Sequence, residues 1–159
     1  MNEVEIDRLA QEIHLRYRKH WKAEDGSADH PMSVKEWGDL TVAEQETNRA
    51  QARDITTKLA LLGCYVVAND DGNSRRLVLE DSQIELLAVD EHKRWMRQKV
   101  EAGWSLGTPR DDARKIHPMI VPWAQLTPEQ QELDRQPIRN IPDFLEMLGF
   151  GVEVADAQT

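Results

Sequence analysis

The chain repeats itself. Sliding the 159-residue sequence along itself by 86 positions lays Trp37-x-x-Leu40-Thr41 over Trp123-x-x-Leu126-Thr127, and 12 of the 30 positions from 37 to 66 are then identical. Ordinary composition yields about two such matches, so a duplication is the better reading. The overlay pairs Gln45 with Gln131, Glu46 with Glu132, Arg49 with Arg135, Arg53 with Arg139 and Gly63 with Gly149. With small gaps, His30-Pro31-Met32 meets His117-Pro118-Met119, and Ala10-x-x-x-His14-x-x-Tyr17 meets Ala88-x-x-x-His92-x-x-Trp95. Each copy, at roughly 70 residues, buries little apolar surface alone, so a shared core is expected.

Both copies read the same way. Ile6, Leu9, Ala10, Ile13 and Tyr17 fall on one helical face, as do Ile84, Leu87, Ala88, Glu91 and Trp95 behind the capping signal Ser82-x-x-Glu85. The second of these helices is expected to stop at Gly103. A long loop with the His-Pro pair follows, and then new helix starts at Thr41-x-x-Glu44 and Thr127-Pro128-x-Gln130. Pro137 and Pro142 predict a break after about Arg135 and a last helix to Leu148. Past Gly63 and Gly149, residues 65–67 and 151–154 read as short strands. Leu77-Val78-Leu79 reads as a third strand, joined to the first by the turn-rich Asn69 to Ser74. The expected organisation is therefore a first repeat over 1–68, a hairpin linker over 69–80, a second repeat over 81–154 and a frayed tail over 155–159. The fold class is mainly α with short β-strands.

Composition narrows the function. A net charge of −9 argues against a protein that neutralises many phosphates of an extended nucleic acid. The single cysteine, Cys64, can form no internal disulfide and suits a reducing, cytoplasmic setting. The longest apolar stretch, 59–68, is interrupted by Gly63 and is far short of the roughly 20 residues of a spanning helix. No membrane partner, signal peptide or anchor is expected. Phosphate-binding loops, dinucleotide glycine motifs, His-Glu-x-x-His and nucleophile elbows are all absent from the sequence. The reading is of a protein without catalytic machinery, cofactor or metal.

One segment is charged against the trend. From His92 to His117, Lys93, Arg94, Arg97, Lys99, Arg110, Arg114 and Lys115 stand against Glu101, Asp111 and Asp112, a net +4, while the remainder sums to −13. A local basic segment on an acidic protein suits a small anion. Lys93, Arg94 and Arg97 read as the solvated face of a helix. Arg110 lies in a glycine- and proline-punctuated loop, where a guanidinium can fork onto phosphate. Trp104, just after a helix-ending glycine, either presents its ring to a base or plugs an interface between copies. Trp95 continues an apolar stripe, Trp37 and Trp123 resemble staple residues, and Trp21 falls where a second face for a sandwiched base would lie. His30 and His117 read as imidazoles bonded to backbone beside a fixed proline dihedral. Arg49 and Arg135 read as ties from helix to loop, with a ligand role open for Arg135. Asp111-Asp112 suits loop capping better than metal or ribose hydroxyls.

The string Glu91-His92-x-x-Trp95, Gly103-Trp104-x-x-Gly107, Arg110-Asp111-Asp112, Lys115-x-His117-Pro118-x-Ile120-Val121-Pro122-Trp123, Glu132-x-Asp134-Arg135 and Leu148-Gly149-Phe150 resembles the RyR domain, the repeat of ryanodine receptors. The resemblance covers about residues 84–153 strongly and 6–67 weakly, since the first copy lacks the Gly-Trp-x-x-Gly and Arg-Asp-Asp segment. It implies two tandem RyR-type repeats with approximate twofold symmetry in a stand-alone bacterial or phage member. It also implies a module that binds an adenine nucleotide or an ADP-ribose-like signal between the copies, as sensor or sequestering protein, with a partner effector protein reading out the signal. The candidate ligand residues are Trp104, Arg110, Lys99, Arg114, Trp21, Asp111, Trp95, His117 and Arg135. The competing expectation is a protein-interaction scaffold, because tryptophan and arginine also anchor such interfaces.

Overall fold

The computed structural model describes residues 1–23 and 30–156. They fall into two units, one of Met1–Leu77 with Ile141–Thr159 and one of Val78–Asn140. The fold is mainly helical with short strands.

In the first unit, α1 (Glu3–Ala23) packs on α2 (Val42–Leu61). Ile6, Leu9, Ala10 and Ile13 bury the stripe predicted from their spacing, and α2 buries Ala52, Ile55 and Leu59. The start of α2 is fixed locally: Thr41 Oγ1 accepts from the Glu44 N–H at 3.1 Å and the Glu44 carboxylate accepts from the Thr41 N–H at 2.8 Å. The chain leaves α2 through Gly63 at φ +70 and enters β1 (Cys64–Ala68). The partner of β1 is the distant β4 (Phe150–Val154), antiparallel, with Val66 opposite Val152. Helix α5 (Ile141–Met147) precedes β4 and buries Ile141, Phe144 and Leu145.

The expected hairpin through residues 69–80 does not form. The Val152 N–H donates to the Arg75 carbonyl, so β4 meets β1 and this single bridge, while residues 77–79 make no ladder. Leu77 is buried and Val78 exposed. The turn itself is held by side chains, with Asn69 Oδ1 accepting from the Ser74 N–H and Asp71 Oδ1 from the Asn73 N–H, each at 3.0 Å. Ala155 still donates to the Gly63 carbonyl at 2.7 Å, and residues 157–159 of the expected tail lie outside the described residues.

In the second unit, α3 (Asp81–Glu101) packs against α4 (Pro128–Arg139). Leu87 and Ala88 of α3, Ile138 of α4 and Leu126 before it are buried. The cap of α3 is Glu80, whose N–H donates to Gln83 Oε1 at 2.9 Å, two residues ahead of the expected Ser82 signal. Glu85 is engaged elsewhere, by Arg135. Thr127 and Gln130 form the expected box at the start of α4. The predicted break moves from residue 135 to Asn140, because Pro137 sits in the last turn, where its missing N–H and its ring disturb little helix. Two strands of two residues, β2 (Ser105–Leu106) and β3 (Ile116–His117), pair in parallel and close the loop between them.

Candidate functional site

The loop of the second unit is set up by the way α3 ends. Gly103 takes φ +91, a left-handed value that favours glycine, and two backbone bonds follow: Gly103 N–H to Val100 O at 3.0 Å and Trp104 N–H to Lys99 O at 2.9 Å. This terminating motif brings the side chains of Lys99 and Trp104 together, and the Lys99 ammonium lies 4.4 Å from the centre of the indole. The Trp104 ring is half-buried. Its inner neighbour is His117, with ring centres 6.0 Å apart. His117 is 3% exposed, meets the edge of Trp95 at 4.8 Å and accepts the Met119 N–H on Nδ1 at 3.2 Å. Lys99, Trp95, Trp104 and His117 thus form one cluster.

The segment from Gly107 to Lys115 closes beside this cluster through strand pairing. Asp111 and Ile116 exchange backbone bonds of 3.0 and 2.9 Å, and a Cβ on Gly107 would meet Ile116 Cγ2 at 2.6 Å, so only glycine fits there unshifted. Arg110 bonds Asp112 at 2.7 Å, and Asp111 Oδ1 accepts from the Arg114 N–H at 3.1 Å. The aspartates therefore cap and brace the loop, as their spacing suggests. Arg114 is far more exposed than Arg110. Lys115, at φ +56, reaches back to the Ala102 carbonyl at 2.7 Å.

Two of the candidate residues stand apart. Arg135 is committed to Glu85 through bonds of 2.8 and 3.0 Å and lies 5.5 Å over Trp123, tying α4 to α3. Glu85 is held below the usual carboxylate range by that hydrogen bonding. Trp21 belongs to the other unit, where it stacks on His30 with ring centres 3.7 Å apart and planes at 19°. Tyr17 and His30 are joined in turn, at 3.1 Å from hydroxyl to Nδ1. An indole stacked at that distance already has a planar partner on that face.

Charge on α3 differs from the sequence reading in one place. Lys93 and Arg97 are solvated, but Arg94 is buried, bound to Glu91 by two bonds of 2.7 and 2.8 Å. The spacing of three residues makes them neighbours on one face. Next to them His92, 2% exposed, faces Asp134 of α4. In the sequence Glu91 falls on the inner face of its helix and Arg94 reads as solvated, while His92 and Asp134 enter through the repeat and the family-like string, and no spacing there pairs either couple across the fold.

The first unit holds a hollow of about 430 Å³ lined by Arg8, Leu15, Arg18, Trp37 and Met147 among others. None of the predicted ligand residues lines it.

What α3, α4 and the strand-closed loop define is a small α+β domain with an aromatic and basic loop at a helix end. Residues 79–154 match the family model of the RyR domain. No helix among the described residues is long and apolar enough to cross a membrane.

Proposed function

We propose that the RyR domain of this chain is a non-catalytic binding module for a flat anionic metabolite, of the adenine-nucleotide or ADP-ribose type. The observation that carries the reading is the half-buried Trp104 ring with the Lys99 ammonium 4.4 Å from its centre. A π face beside a cation, on a loop that also carries Arg110 and Arg114, offers stacking to a base and charge to a phosphate. Trp95 and His117 back the indole, and Asp111 holds the turn.

We read the amino-terminal half as a diverged second copy. Matching contacts support the duplication. Gln45 and Gln131 donate to the Trp37 and Trp123 carbonyls at 3.0 and 3.1 Å, Arg49 and Arg135 lie 5.4 and 5.5 Å over those rings, and His14 and His92 sit 2.7 Å from the carbonyls of Lys35 and Val121. With Trp21 stacked on His30, ligand contact is assigned to the second copy. The biological role is sensing or sequestering in the cytoplasm, with a partner protein as reader in the first case.

Calorimetric titration with ATP, ADP and ADP-ribose tests this. Micromolar to millimolar binding that Trp104→Ala abolishes, in a variant with unchanged circular dichroism, is the expected result. A flat titration across the panel overturns it. Binding that survives Trp104→Ala moves the site elsewhere.

A further inference from the structure

His92 is placed between two acceptors. Its Nε2 lies 2.7 Å from the Val121 carbonyl oxygen, and its Nδ1 lies 3.5 Å from Asp134 Oδ2. A neutral imidazole has one N–H and cannot donate to both. If Nε2 donates to Val121, the lone pair of a neutral Nδ1 points at a carboxylate in a site where His92 is 3% and Asp134 15% exposed by side chain. The arrangement is satisfied only when the pair holds an extra proton, as imidazolium beside carboxylate or as carboxylic acid donating to Nδ1.

Arg94 of α3 also acts on Asp134 and favours its carboxylate form. On α3, Glu91 is the adjacent anion, and Arg94 answers it through the two bonds described above. On α4 the facing group is Asp134, and the 121–123 segment contributes the Val121 carbonyl and the Trp123 ring, 6.1 Å away and tilted. Trp95 stacks along α3 at 5.7 Å. Burial works against the imidazolium, yet the Asp134 carboxylate and the Val121 carbonyl, with Glu91 behind them, raise the His92 titration above the ordinary histidine value. Asp134 is itself pushed up, chiefly by burial.

The chain contains its own control. His14 makes the same bond, Nε2 to the Lys35 carbonyl at 2.7 Å, but the residue offset by 86 from Asp134 is Asn48, a neutral amide that donates to the Glu44 carbonyl. Burial lowers the His14 titration, and no carboxylate at position 48 reverses it.

We propose that His92 and Asp134 form a buried proton-binding latch that fastens the Val121 segment to α3 and α4, and that losing the proton loosens this segment. His92 is a positioning residue: it acts through the backbone that links His117 to Trp123. The latch does not depend on what the Trp104 loop binds.

The test is a side-chain NMR titration of the five histidines, in wild type and in Asp134→Asn, with the Val121 and Trp123 backbone signals followed in parallel. The expected result is a His92 midpoint above that of His14 and above the ordinary value of about 6.5. The Val121 shifts should track that midpoint. Asp134→Asn should lower the proton affinity of His92 at least tenfold, toward the behaviour of His14. A His92 midpoint at or below that of His14, or Val121 shifts indifferent to it, overturns the latch. If Asp134→Asn does not fold, the wild-type titration decides alone. Ligand titrations play no part, so failure of the binding proposal leaves this result untouched.

Discussion

Arg135 grips Glu85 with both Nε and Nη2, at 2.8 and 3.0 Å, and lies over the Trp123 ring at the same time. A fork of that kind fixes α4 against α3 by direction as well as by charge. Glu85 is 46% exposed by side chain, so solvent screens the pair. Arg135→Met should cost about 1 kcal/mol in chemical denaturation at neutral pH, between a surface ion pair and a charge-assisted bond. Because the folded-state value of Glu85 is depressed, this contribution is present above the ordinary carboxylate value and disappears as pH falls through the folded one. Denaturation of wild type and variant at neutral and strongly acidic pH checks the sign. A difference that grows on acidification would contradict it.

Lys99→Met separates the two roles given to its ammonium. Loss of the cation over Trp104 should cost about 0.5–1 kcal/mol of stability. In ligand titrations it should weaken phosphate-bearing nucleotides about tenfold and leave adenosine, which brings a base and no phosphate, nearly unchanged, as expected for one lost charge contact worth about 1.4 kcal/mol. Equal weakening of both would place Lys99 under the base.

Gly107→Ala asks whether the loop is held as tightly as its pairing implies. The added Cβ would stand 2.6 Å from Ile116 Cγ2, the methyl of a β-branched residue fixed in β3. A destabilisation of about 1–3 kcal/mol is expected, with loss of ligand binding beyond it as β2 and β3 part. Far-ultraviolet dichroism should change little, since the helices are untouched.

Features governed by neighbouring residues were legible in the sequence. The capping boxes at Thr41 and Thr127, the helix-ending glycines 63, 103 and 149, and the apolar stripe of α1 all depend on chemistry within one or two turns. Residue 104 was placed at the start of a loop for the same reason. What escaped depends on separation. The partner of β1 lies more than eighty residues away in β4, and nothing near Tyr65 distinguishes it from the closer segment at residues 77–79. Arg94 read as solvated because a charge usually is, until Glu91 one turn back offered a partner for burial. Trp21 read as open because its stacking partner, His30, comes nine residues later in the chain, beyond the reach of helical spacing.

His14 supplies the last prediction. It is 2% exposed, and burial lowers its titration below the ordinary histidine value despite the bond from Nε2 to the Lys35 carbonyl. A base depressed in the folded state makes the unfolded chain bind more protons, so stability rises with pH across this interval. The contribution is whole above about 6.5 and is lost as pH falls from there to the folded value. His92 acts with the opposite sign, its contribution whole below about 6.5 and lost as pH rises through the raised folded value. From these two groups a wild-type stability profile therefore rises with pH up to about 6.5 and falls beyond it. Asp134→Asn should remove the alkaline-side loss and deepen the acid-side one, as burial then depresses His92 as it does His14, and His14→Gln should leave the alkaline-side loss due to His92. Denaturation curves of the three proteins between about pH 5 and 9, a span that brackets ordinary histidine titration, separate them. Identical curves would mean that neither imidazole is held in its folded-state charge.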